Sequence, residues 1–161
     1  MGTTNITQTG TAVGHQGLGT RSPYGIEVWL TAAECVAGKG GALAAADIFQ
    51  VLEVPAGSLL LGCEAEVMTI DSGTTLTFDI GIAGADEFVD GGDGTTAGYL
   101  AIGTNGLISY SDPLRAGSAD TLDVVIKTLG SAEDDWVLRL VVTMQDISSK
   151  GQPVAAQTLN S

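Results

Sequence analysis

Apolar and polar residues alternate along much of this chain. The cleanest run puts Leu76, Phe78, Ile80 and Ile82 on one side and Thr75, Thr77, Asp79 and Gly81 on the other. A half-buried strand has this period of two, and a helix does not. Residues Asp120–Leu129 repeat it, with Leu122, Val124 and Ile126 opposite Asp123 and Lys127. Trp136–Met144 does the same, with Leu138, Leu140, Val142 and Met144 opposite Arg139 and Thr143. With the acidic turn 131–135 between them, these two runs predict an antiparallel pair.

Upstream, Val51–Val54 ends in a Pro55-Ala56-Gly57 turn, and a long strand is predicted from Leu59 to Ile70. The polar cluster Asp71-Ser72-Gly73 then reads as a hairpin closure onto the Leu76–Ile82 run. Tyr24–Thr31 predicts a first strand, with Trp29 as its largest hydrophobic contribution. The segment 32–46 is rich in small residues and broken by Gly38, Gly40 and Gly41. It reads as a loop or close crossing with at most a helical turn or two. Asn105-Gly106 predicts a further hairpin between 99–102 and 107–110.

Seven or eight short strands separated by turn signals predict an all-β fold, an antiparallel β-sandwich or jelly-roll-like domain with an extended N-terminal arm. The domain is expected over residues 23–147. Residues 1–22 lack periodicity and read as the arm, either frayed or ordered along a neighbouring subunit, and 148–161 read as a polar C-terminal tail.

Composition narrows the function classes. The chain has 161 residues and a formal net charge of −13, with 16% charged and 5% aromatic residues. No Lys or Arg lies between Lys39 and Arg115, whereas carboxylates recur from Asp47 to Asp112. Such a surface repels phosphate backbones, so nucleic acid and anionic membranes are not expected partners. No apolar run approaches the roughly 18 residues of a membrane span, and the N-terminus has no signal-peptide pattern. Cys35 and Cys63 read as free, buried thiols of a reducing compartment, with one long-range disulfide as the alternative.

No catalytic, cofactor or metal signature emerges. His15 is the only histidine and so the only candidate base for a hydrolase triad; alone in an aperiodic segment it reads as incidental, and an enzyme is not expected. Asp86, Glu87, Asp90 and Asp93 crowd one glycine-rich stretch, 83–97. This raises calcium as a candidate ligand, but the spacing fits neither an EF-hand nor a β-roll repeat, and a solvated turn is the simpler reading. Phe88 and Val89 are expected to pin that loop to the sandwich edge or to a partner.

The ordered segments SPYGIEVWLTAAE, DIFQVLEVPAGSLLLGCEAEVMTIDSGTTLTFDIGIAGADEFVDG, SDPLRAGSADTLDVVIKTLG and WVLRLVVTMQDI resemble small structural proteins of tailed bacteriophages. The resemblance covers residues 22–146 and rests on strand and turn patterns. It implies a virion component, foremost a capsid decoration (cement) protein. Such proteins are β-rich, often trimeric, and sit on the outer surface of the head, where they clamp the major capsid protein. A head- or tail-fibre subunit, or a receptor- or glycan-binding module, is the alternative. A glycan module would need exposed aromatics, for which Tyr24, Tyr99 and Tyr110 are the candidates.

Overall fold

The computed structural model describes residues 3–5, 11–13, 23–73, 75–82, 86–100, 114–130 and 135–146. Among these residues eleven strands and one helix follow in chain order: β1 (Thr3–Asn5), β2 (Thr11–Val13), β3 (Tyr24–Thr31), α1 (Ala32–Lys39), β4 (Ile48–Val54), β5 (Ser58–Thr69), β6 (Leu76–Ile82), β7 (Val89–Asp93), β8 (Gly98–Tyr99), β9 (Leu114–Arg115), β10 (Asp120–Leu129) and β11 (Val137–Asp146). They form two sheets. The first, sheet A, has the order β1-β4-β10-β6-β7; the second, sheet B, has the order β2-β3-β11-β5-β8, and β9 also pairs with β5. Every pairing is antiparallel except that of β1 with β4.

The all-β sandwich expected from the alternation is the observed architecture. Its strands exceed seven or eight because β1, β2, β8 and β9 are two- and three-residue pieces, too short to leave a periodic signal, and β7 forms within the stretch read as a loop. Residues 3–5 and 11–13 of the N-terminal segment each add a short strand to one of this chain's own sheets.

One core lies between the sheets. Sheet A contributes Phe49, Val51, Leu76, Phe78, Ile80, Leu122, Val124 and Ile126, and sheet B contributes Val28, Leu30, Leu60, Val67, Leu138, Leu140, Val142 and Met144. Phe78 and Trp136 meet in its middle, edge to face, with centroids 5.0 Å apart and planes at 68°. Gly94 must be glycine on steric grounds. A Cβ there would lie 2.7 Å from Phe78 Cε2 and 2.8 Å from Leu76 Cγ, and both neighbours are fully buried.

The strand pairings differ from those expected. β10 and β11 are not partners: β10 lies in sheet A between β4 and β6, and β11 lies in sheet B between β3 and β5. Likewise β5 and β6 sit in opposite sheets, so the turn 71–73 is a crossover between layers and not a hairpin. In each case two amphipathic strands bury their apolar faces against each other across the core, which satisfies the alternation as well as side-by-side pairing would.

Trp29 is also placed differently. It lies on the outer face of sheet B, 42% exposed, while Val28 and Leu30 face the core. The buried tryptophan is Trp136. Strand β7 occupies part of the stretch read as an acidic loop and forms an edge of sheet A. Phe88 and Val89 are buried there, so they do pin this segment to the sandwich edge. The hairpin expected around Asn105-Gly106, His15, Tyr110 and the tail 148–161 lie outside the described residues.

Segment 32–46 holds a true helix over its first half. Thr31 caps it: its Oγ1 accepts from the Glu34 amide at 3.2 Å, and its own amide donates to Glu34 Oε2 at 3.1 Å. This reciprocal box satisfies orphan donors of the first turn. Gly40, at φ 74, ends the helix in the left-handed conformation and donates to the Val36 carbonyl, so the glycines that argue against a helix mark its end. Beyond it, Asp47 is buried. Its Oδ2 accepts from Lys39 Nζ at 2.5 Å and from the Ala44 amide at 2.8 Å.

The crossover turn 71–73 is fastened by Asp135, which accepts from the Ser72 amide at 3.1 Å and the Ser72 hydroxyl at 2.9 Å. These bonds, the amide first, hold the Asp135 carboxyl below the usual carboxylate range. A depressed native value adds stability that is complete above the unfolded value of about 3.9 and is lost as pH falls through the lower native one. The melting temperature of the wild-type chain is therefore expected to fall below about pH 4. That fall should be shallower in Asp135→Ala when both are scanned from pH 7 to pH 2. An equally steep fall in the variant would count against this latch.

Candidate interaction surface

The residues singled out for chemistry are dispersed into local structural roles. Asp90 is ion-paired with Lys127, which also lies 3.3 Å from Asp79. Glu87 accepts from the Ile82 amide at 2.9 Å. Asp93 accepts from the Thr95 hydroxyl and amide and the Thr96 hydroxyl, and these bonds hold its carboxyl below the ordinary range. Asp86 is exposed. Among the described residues no three His, Cys, Asp or Glu side chains group as metal ligands. Tyr24 packs against the core and Tyr99 is exposed, so these two do not form an aromatic platform.

Cys35 and Cys63 are free, the first buried and the second half-buried. Burial raises both thiols, Cys63 to about 12 and Cys35 further still, so neither is a nucleophile at neutral pH. No helix among the described residues is long and apolar enough to cross a membrane.

What the fold does assemble is a row of side chains across the outer face of sheet B. In register, Trp29 on β3 stands opposite Arg139 on β11, Arg139 opposite Glu66 on β5, and Glu66 opposite Tyr99 on β8. Strands lie about 4.8 Å apart, so the row spans about 14 Å. Met68 and Ile70, 44% and 45% exposed, extend the apolar part past Glu66, and Tyr99 is 72% exposed. In the next row Glu27 and Glu64 flank Val141.

This row is braced from within. Arg139 Nε donates to Glu27 Oε1 at 2.6 Å and Nη1 to Glu66 Oε2 at 3.1 Å. The guanidinium carbon stands 6.0 Å from the Trp29 ring centroid, within range of a cation–π contact. Trp29 Nε1 donates to Glu27 Oε1 at 3.1 Å. Glu27 thus orients both the indole and the guanidinium. Beside Tyr99, a groove of about 410 Å³ is lined by Cys63, Glu64, Ala65, Val89 and Leu100.

The electrostatics around the row are one-sided. Lys39, Lys127 and Arg139, the cations whose side chains are described, are each held by carboxylates. Glu53, Glu64, Asp86 and Asp120 are exposed. Among the described side chains, therefore, the cations are each paired with carboxylates while several carboxylates stand exposed.

The sequence carried a signal for Trp29 that the alternation of β3 makes plain: it shares parity with Glu27, not with Ile26, Val28 and Leu30. The rest of the row had none, because the register of four strands distant in the chain creates it.

No protein-family model matches the chain, and no curated protein matches it. Among solved structures it is similar to a chain in the capsid of Ralstonia phage GP4, with a TM-score of 0.57 and 15% identity over 80% of this chain and 86% of that one. It is also similar to a chain in the cyanophage Pam1 capsid asymmetric unit, with a TM-score of 0.55 and 22% identity over 84% and 91% of the two chains. At these identities the likeness is one of fold: this chain and chains of two phage capsids share one all-β sandwich.

Proposed function

We propose that this chain is a non-catalytic structural protein of a phage virion, and that it decorates the head as a cement protein on the outer surface of the capsid. The observation that carries this reading is the fold likeness, over four-fifths or more of both partners, to chains within two phage capsid structures. The residues agree with it. Glu87, Asp90 and Asp93 are engaged in turns and an ion pair, and the described surface is acidic, which suits a protein that works beside packaged DNA without adhering to it.

In this role the partner is the major capsid protein and the chain assembles as a homotrimer. The mechanism is mass action: a protein that binds only the expanded shell stabilises that shell in proportion to its occupancy. Repetition over the lattice makes each weak contact effectively intramolecular.

Quantitative mass spectrometry of purified source particles tests the reading. A copy number comparable to that of the major capsid protein is the expected result. A few percent of that number would move the chain to a head or tail fibre, and its absence from particles would overturn the virion assignment.

A further inference from the structure

We infer that the outer face of sheet B, centred on Trp29, Arg139 and Tyr99, is the surface by which this chain docks onto its shell, and that it meets a basic, apolar-rimmed patch on a different polypeptide. The inference rests on the decoration reading and adds to it the face and the chemistry of the partner.

Three observations carry it. First, the composition is that of an interface centre: Trp, Tyr, Met and Arg are the residue types enriched where binding energy concentrates. Here Trp29, Met68, Tyr99 and Arg139 stand together on one sheet face, three of them 42 to 72% exposed. Second, the central pair is fixed in advance. Glu27 holds both the Trp29 indole and the Arg139 guanidinium, and Glu66 holds the guanidinium from the other side, so little side-chain freedom remains to be lost on docking. Third, the charge selects the occupant. Among the described side chains, Glu27, Glu64 and Glu66 share the face with a single cation, Arg139, and even with Arg115 of β9, which pairs into the same sheet, carboxylates outnumber cations there. A second copy of this chain docked through the same face would set Glu27, Glu64 and Glu66 against their own counterparts, and like charges brought together are unfavourable. A surface bearing Lys or Arg around an apolar recess complements the face.

The test uses full-length wild-type protein, the double variant Trp29→Ser/Tyr99→Ser, Glu64→Gln, and a control on the outer face of sheet A, Gln50→Ser/Glu53→Gln. The probe is expanded shells of the source phage prepared without this chain, with binding measured by co-sedimentation at two salt concentrations. The expected results are a loss of about tenfold or more in affinity for the double variant, a smaller loss for Glu64→Gln, wild-type binding that weakens with salt, and no change for the control.

Equal binding by the double variant and wild type, with the wild type bound, overturns this face and leaves the decoration reading standing. Failure of the wild type to bind shells overturns both. A wild type that self-associates in sedimentation while the double variant does not assigns the face to a second copy, and overturns the inference. A melting temperature lowered by more than about 4 °C in the double variant would mean that a segment of the chain itself covers the face, with the same consequence.

Discussion

Replacing Trp136 by alanine is expected to destabilise the fold by about 3–5 kcal/mol, the range for deleting a large aromatic from a packed core. Trp136 is 1% exposed and is the largest fully buried side chain. It lies just ahead of β11, in sheet B, and its ring meets Phe78 of sheet A, so its removal opens a void between the layers. In urea denaturation with a slope near 2 kcal/mol/M, the midpoint should fall by about 2 M. Trp136→Phe should cost much less. The ring contact survives, and Nε1 has no hydrogen-bond partner among the described residues, so no polar contact is lost. Trp29→Ala, on the outer face, should stay within about 1 kcal/mol. Equal losses at the two tryptophans would contradict the placement of both.

Asp47→Ala is expected to cost about 2–3 kcal/mol. The carboxylate is 2% exposed and neutralises Lys39, whose side chain is only 24% exposed, while accepting from the Ala44 amide. Alanine leaves the Ala44 amide without an acceptor and the half-buried Lys39 ammonium without its counter-charge, held by the Ala42 carbonyl at 2.7 Å, and the penalty comes more from those groups than from the lost attraction. The same loop carries Ala46 at a φ of 67, a conformation costly for a residue with a side chain. It is held by hydrogen bonds that tie it to β10: Ala46 N to Ile126 O at 2.7 Å, and Ile126 N to Asp47 O at 3.0 Å. Losing Asp47 should therefore also loosen the entry to β4. Hydrogen exchange at the Ala46 and Ile126 amides should accelerate in the variant, and unchanged protection there would show that the loop is held without it.

The strands themselves were legible because residues such as Phe78, Val124 and Leu140 recur every second position between polar neighbours. Their partners were not. An alternating strand announces that one of its faces is buried, but not whether the burying element lies beside it or across the core. Asp71-Ser72-Gly73 is as good a turn for a layer crossing as for a hairpin. The helix had a signal that the reading of 32–46 did not use, Thr31 and Glu34 at capping-box spacing, because the glycines behind them spoke for a loop. Of the candidate site, composition pointed to its acidity. The Trp29–Arg139–Glu66–Tyr99 row depends on which strands neighbour which, and no local pattern encodes that.

That same neighbour order governs how the chain comes into being. Glu27 and Arg139, bonded in the finished sheet, are 112 residues apart, and β11 is the central strand between β3 and β5. At a synthesis rate of about 5–20 residues per second, β3 is made about 5–20 s before the strand it must pair with. Sheet B cannot close during that interval, and pairing at such separation is slow even once all strands are present. Each nascent chain therefore passes through a period in which the apolar sides of β3 and β5 depend on cellular chaperones or transient collapse for cover.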